Sequence, residues 1–315
     1  MKTTLGVTVD AAWFEGHFPG RPILPAVSQL ALVLEALARH RGQPAALEGI
    51  GFARMRQPVV PGDPLQLEID ERPGGALRFT LARDGAMVTN GELLPGTVTP
   101  TPSLRCATAS PSRGPGILVG PCGAEMTPTP SLRCATASPS RGPGILGGPC
   151  GAGEAPSDVV AFDTDTNPID DATLIESLLP HRPPMRFVTS VLAESPDGMT
   201  CSARIPAGCA LVAQGSAPAV AAIEAAAQTA AVWEATRRRR AGGMTASRLG
   251  YLVGLRDITF FAQRIPAEQT LRATVRLEAA TLALTHYAMQ VDLGSAVILR
   301  GTLATFLTDE TLRER

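Results

Sequence analysis

A histidine fixed in a tight loop just ahead of a helix places a base beside unpaired N–H groups, and one of the four histidines of this chain is so placed. His17 stands in GHFPGRPILP, where Gly16, Gly20 and the prolines at 19, 22 and 25 constrain the backbone and bring the imidazole to the start of an apolar helix. A helix N-terminus offers donors without acceptors and a positive field, which suits polarising a carbonyl. A base next to a carbonyl binder points to proton chemistry. The remaining histidines read as structural. His40 closes the first helix, where the dipole favours positive charge; His286 falls inside a strand; His181, in LLPHRPPM, sits between prolines in a turn. Glu224 is the second group of interest. It is flanked by AVAAI and AAAQTAAV, and a lone carboxylate in apolar surroundings needs a reason. Gln228, one turn further on, is spaced to hydrogen-bond it.

Two blocks of similar plan position these residues. In the first, a β-like opening and the His17 loop lead into AVSQLALVLEALARH, with Pro25 suited to a helix start and Gly42 to its end. Val27, Leu30, Leu34 and Leu37 recur at helical spacing in a mostly apolar stretch, which predicts a helix buried on most sides. The runs GIGFARMRQPVV, PLQLEIDE, ALRFTLAR and AMVTNGELL follow as strands, separated by glycine turns. The second block gives strands FVTSVLAES and MTCSARIPA, the helix SAPAVAAIEAAAQTAAVWEATRRRR, then YLVGLRDITFF, TLRATVRLEAAT, THYAMQVD and AVILRGTLATFL. One long helix wrapped by antiparallel strands is an α+β arrangement, present twice. Trp13 and Trp233 read as core or interface residues.

Composition separates the blocks from what lies between them. From Pro95 to Pro156 the chain holds 12 of its 28 prolines and 11 of its 31 glycines and loses periodicity. Residues 99–118 and 127–146 are identical, within a 28-residue tandem unit. That composition offers no amphipathic unit able to stack, and a disordered linker is expected. Cys106, Cys122, Cys134 and Cys150 belong to the repeat and lack the paired spacing of zinc sites; Cys201 and Cys209 have no evident catalytic partner. A net charge of −1 argues against a general nucleic-acid binder. The start, MKTTLGVTVDAAW, has no signal-like apolar run, and residues 217–233 carry Glu224 and Gln228, so a cytoplasmic chain without a membrane span is expected.

GHFPGRPILPAV resembles the signature loop of hotdog-fold 3-hydroxyacyl-[acyl carrier protein] dehydratases of the FabZ/FabA type, and LLPHRPPM and IEAAAQ resemble two further FabZ segments. Block one is more closely similar to ApeI-like, and block two to ApeP-like, dehydratase subunits of aryl polyene biosynthesis. The resemblance implies a double hotdog, with residues 1–95 and 158–315 as the two hotdogs and 96–157 as linker. It also implies a site between paired hotdogs, with a catalytic histidine from one and a carboxylate from the other, the acid standing 14 positions after the histidine within each hotdog. Here the positions are complementary: 14 on from His17 is Ala31, and 14 back from Glu224 is Ala210. Pairing block one with block two inside one chain gives a single complete site, His17 with Glu224. Glu35, one turn beyond Ala31, ranks second as an acid because it is displaced by about 6 Å along the helix.

The expected roles follow. His17 is the base that removes the C2 proton. Glu224, kept protonated by apolar surroundings, is the acid, with Gln228 orienting it. Gly16, Phe18, Pro19 and Gly20 shape the loop, and backbone N–H groups near Ala26 or Ala219, where the family has glycine, bind the thioester oxygen. No metal or other cofactor is expected, because the substrate arrives on the phosphopantetheine of acyl carrier protein. Arg237, Arg238, Arg239 and Arg240 are candidates for carrier docking or for a solvated basic helix end. A higher oligomer of such pseudo-dimers stays open. The alternatives are a catalytically degenerate fusion acting as a structural or binding partner, and a coenzyme A hydratase or thioesterase of the same superfamily.

Overall fold

The alternating runs form strands and the two apolar segments form helices, in an order used twice. The computed structural model describes residues 2–96, 171–242 and 248–309. The tandem repeat, its four cysteines and the linker assigned to 96–157 lie outside the described residues, apart from Gly96. The first half comprises β1 (Lys2–Val7), α1 (Ala26–Arg41), β2 (Leu47–Met55), β3 (Leu65–Glu71), β4 (Leu77–Arg83) and β5 (Ala86–Pro95). The second comprises α2 (Asp171–Leu178), β6 (Val188–Ser195), β7 (Gly198–Arg204), β8 (Ser216–Pro218), α3 (Ala222–Arg240), β9 (Arg248–Phe260), β10 (Arg264–Pro266), β11 (Thr270–Ala280), β12 (Leu284–Leu293) and β13 (Ala296–Asp309). Both halves belong to one compact unit.

Eleven strands make one antiparallel sheet in the order β1-β3-β4-β5-β2-β9-β13-β12-β11-β7-β6. Read outward from its middle, the two halves repeat each other: β2 corresponds to β9, β5 to β13, β4 to β12, β3 to β11 and β1 to β7. The halves join where β2 pairs with β9, Gly49 opposite Thr259 and Ala53 opposite Leu255. A Cβ on Gly49 would lie 2.2 Å from the Ile258 carbonyl oxygen, so only glycine permits this approach. Next to the junction the Gln263 side chain accepts the Leu47 N–H at 2.8 Å and donates to the Leu47 carbonyl at 2.7 Å, extending the cross-half pairing by one amide.

Period-two burial turns Leu77, Phe79 and Leu81 of β4 inward, onto the helix their sheet wraps. The helix α1 buries Val27, Leu30, Val33 and Leu37 and ends at Gly42, whose φ of 68° gives the left-handed cap. Along α3, Ala222, Ala225 and Ala226 pack with no exposed surface, and Trp233 meets Tyr287 edge-on with ring centroids 5.9 Å apart. Trp233 is thus a core residue, and Trp13 packs half-buried against the same core. That core runs through both halves without a break. Among the described residues, no helix is long and apolar enough to cross a membrane.

Candidate active site

The His17 loop is shaped by three residues in the left-handed region, Gly16, Phe18 and Gly20, at φ of 74°, 53° and 83°. Its seat is the LLPHRPPM segment of the other half. The Arg182 N–H donates to the Gly16 carbonyl at 2.8 Å, and a Cβ on Gly16 would come within 2.2 Å of the Arg182 oxygen. Glycine at 16 is therefore required twice, by conformation and by space. The His17 ring, 8% exposed, bonds through Nδ1 to the Ile23 carbonyl at 2.6 Å. A carbonyl only accepts, so Nδ1 carries the hydrogen and Nε2 keeps its lone pair in the neutral ring. Burial, then the nearby His181, push the His17 pKa down to about 4, against the opposing pull of Glu224 and the Ile23 bond. It is a neutral base at ordinary pH.

Glu224, 4% exposed, sits in the first turn of α3. Gln228 donates to its Oε1 at 3.0 Å and His181 Nε2 lies 3.2 Å from the same oxygen. Gln228 is itself fixed on all sides: its amide nitrogen also donates to the Met185 carbonyl at 2.6 Å, and its oxygen accepts the N–H groups of Phe187 and Val188 at 2.8 and 3.2 Å. Burial pushes the Glu224 carboxyl up, but the hydrogen bond and electrostatic pull of His181, the pull of His17 and the Gln228 bond together outweigh it and hold the group below the usual carboxylate range. The expectation that apolar surroundings keep it protonated is corrected, because the sequence could not show which donors fold onto it.

One donor atom from each of His17, His181 and Glu224 lies within 4.8 Å of the others. Among the described residues these three are the one set whose spacing would admit a metal ion. They open onto a cavity of about 380 Å³ that Ala26, Gln29 and Gln228 also line. His181 is the residue that sequence reasoning missed. Its place between prolines suggests a structural turn, but it is 6% exposed and its ring is tilted 55° to that of His17 with centroids 5.1 Å apart. Its signal lay in LLPHRPPM, a segment that resembles the dehydratases, but the flanking prolines favour reading the histidine as part of a turn.

Other expected residues divide. Ala26 opens α1 beside the cavity, and the first N–H groups of a helix have no acceptor within it. Ala219 does not fit the carbonyl-binding role: its N–H donates to the Gln263 carbonyl at 2.9 Å and is already used. The pseudo-equivalent site holds Ala31, buried, and Ala210, half-buried, while Glu35 is exposed and outside the cavity lining. The arginine run does not act as one patch. Arg238 lines the cavity, the Arg237 guanidinium lies 4.5 Å from the Trp233 ring centre, and Arg240 makes a two-pronged pair with Glu194 at 2.6 and 2.9 Å. Burial pushes the Cys201 and Cys209 thiols up to about 12 and about 11, which leaves both inert.

Comparison with known proteins adds identity to this geometry. Residues 1–92 match the ApeI-like family, described as ApeI dehydratase, and residues 173–314 match the ApeP-like family, described as ApeP dehydratase. The 3-hydroxyacyl-[acyl-carrier-protein] dehydratase FabZ of Roseiflexus sp. (strain RS-1) is 39% identical over 103 residues, which cover 28% of this chain and 69% of that protein. The chain belongs to the 3-hydroxyacyl-[acyl-carrier-protein] dehydratase family. FabZ of Myxococcus xanthus is 44% identical over 105 residues, covering 28% of this dehydratase and 66% of the relative, so the matched region spans about two thirds of such relatives. The dehydratase domain of the polyketide PpsC from Mycobacterium tuberculosis superposes with a TM-score of 0.58 at 12% identity, over 98% of this chain and 93% of that one. The dehydratase domain of RzxB from Pseudomonas fluorescens gives 0.56 at 13% identity, over 96% and 93%. At such identity the two share the fold, a double hotdog.

Proposed function

We propose that this dehydratase removes water from a 3-hydroxyacyl thioester carried on the phosphopantetheine of acyl carrier protein, giving the trans-2-enoyl thioester, in fatty-acid-like or aryl polyene synthesis in the cytoplasm. The observation that carries the reading is the single composite site: His17 from one hotdog and Glu224 from the other share a cavity, while the pseudo-equivalent positions are both alanine.

In this scheme the thioester oxygen binds the unpaired N–H at the start of α1, near Ala26, which acidifies C2. His17 Nε2 takes the C2 proton, and the C–H electron pair becomes the C2–C3 π bond. The C3–O bond breaks with its pair on oxygen. Glu224, ionised, holds the 3-hydroxyl and stabilises the imidazolium as it forms. His17, poor at keeping a proton in this buried setting, returns it to the departing oxygen, which leaves as water. The proton count closes on the substrate alone, so the scheme calls for no metal or redox group, and prolonged dialysis against a chelator should leave the rate unchanged. The acyl chain occupies the cavity along α3. Its carrier, an acidic protein, meets the exposed arginines at the end of that helix, Arg237 and Arg239.

The test is dehydration of a carrier-bound 3-hydroxyacyl substrate by His17→Ala and Glu224→Ala. Each should lose about 10³-fold or more in kcat. Wild-type turnover in Glu224→Ala would end the composite-site reading.

A further inference from the structure

The two hydrogen-bond donors on Glu224 reach the same atom. Gln228 Nε2 and His181 Nε2 stand 3.0 and 3.2 Å from Oε1, and the Gln228 amide is too heavily committed to Met185, Phe187 and Val188 to shift. His181 is the reverse case. Its Nδ1 is buried with no partner, so the ring makes one hydrogen bond to protein and that bond goes to Glu224. A buried imidazole with an unpaired nitrogen costs stability, and nothing about the turn requires one there. The backbone around it is tied elsewhere: the Arg182 N–H is held by Gly16, and the Arg182 guanidinium binds the carbonyls of Leu179 and His181, both at 2.9 Å. The imidazole is therefore free of any part in holding its own loop together.

We propose that His181 is a positioning residue for dehydration: by donating Nε2–H to Glu224 Oε1 beside the Gln228 amide, it saturates that oxygen and leaves Oε2 to receive the substrate 3-hydroxyl. The proposal rests on the catalytic reading of His17 and Glu224 and assigns the work of Glu224 to one of its two oxygens. A carboxylate anchored by a single donor can rotate about its terminal torsion, which is broad and roughly two-fold. Two donors converging on one oxygen remove that freedom, and the hydroxyl then meets an acceptor already in place. The link crosses the molecule in a useful way. The LLPHRPPM segment is bound to the His17 loop through Gly16 and to Glu224 through His181, so it sets the separation of the two reacting groups.

The experiment compares His181→Leu, which removes the donor, with His181→Gln, whose amide nitrogen reaches about as far as Nε2 and restores it. Displacement of a reacting group by about 1 Å costs on the order of 10²-fold, so His181→Leu should lower kcat by roughly 10- to 100-fold with KM within about threefold of wild type. His181→Gln should return kcat to within about fivefold of wild type. Turnover within about twofold of wild type in His181→Leu would overturn the proposal, as would a loss confined to KM. If His181→Leu does not fold, His181→Gln decides alone: a folded His181→Gln whose kcat falls more than about fivefold below wild type means that the donor is not what His181 supplies. The underlying reading fails separately, through active His17→Ala or Glu224→Ala, whatever the His181 variants do.

Discussion

At the scale of single residues, the site is a contest between burial and partners, and His17 and Glu224 resolve it in opposite ways. Burial dominates for His17 and leaves it neutral down to about pH 4, far below the ordinary histidine range near ~6.5. For Glu224 the donors win and the carboxyl stays ionised. A neutral base with an ionised partner should give a kcat/KM that falls about tenfold per pH unit below about pH 4, as His17 takes up its proton, and stays level from about pH 5 to pH 8. A profile that already declines through that upper range, as Glu224 loses a proton, would show instead that its protonated form is the active one. The imidazole and carboxyl types were legible in the sequence. Their protonation was not, because it depends on which donors and acceptors come to lie beside them, and two of those decisive neighbours, the His181 donor and the Ile23 carbonyl acceptor, are set by loop geometry.

Elements set the distances between those groups. The loop that carries His17 and the segment that carries His181 touch through one glycine, and Gly16→Ala would force a side chain both into a left-handed backbone and against the Arg182 oxygen. It should cost about 2 kcal/mol or more in urea unfolding and lower kcat as well, since the two loops must separate. Gln228 does comparable work on α3. Replacing it with leucine leaves the Phe187 N–H and the Met185 carbonyl without their partner in a buried place, an expected loss of about 3 kcal/mol or more by the same measurement. The first helix and most strands were readable from hydrophobic period alone: α1 begins at Ala26 and β4 at Leu77, within a residue of expectation, whereas the second long helix, expected from Ser216, begins at Ala222, because Ser216–Pro218 pairs as β8 with β10. The short α2 was not, because its eight residues carry too little periodicity to stand out between a linker and a proline turn.

At the scale of the whole molecule, one chain supplies both groups of the proposed site, His17 from the first half and Glu224 from the second, lining one cavity. The continuous sheet across β2 and β9, the Gln263 clamp on Leu47 and the shared core hold the hotdogs together within the chain. Mixing inactive His17→Ala with inactive Glu224→Ala should therefore restore no activity. Recovery on mixing would mean that halves exchange between chains. Deleting residues 99–154 should leave turnover largely intact, since every residue placed at the site lies outside that stretch.

The sequence by itself determined two α+β blocks of one plan, a histidine in one and a carboxylate in the other, because residue type, spacing and periodicity are local properties of a chain; its resemblance to the dehydratases implied that the blocks are hotdogs with alanine at each matching position. Only the tertiary structure decided that His181 belongs with them, that Ala219 has no N–H to offer, and that Glu224 is held ionised. Each of these is a matter of which polar atom comes to rest beside which other. His181 and Glu224 are 43 residues apart, and Ala219 and Gln263 are 44, so nothing in the local pattern records their bonds. A hydrogen bond spends its donor on one acceptor, and that choice is made where segments distant in sequence pack.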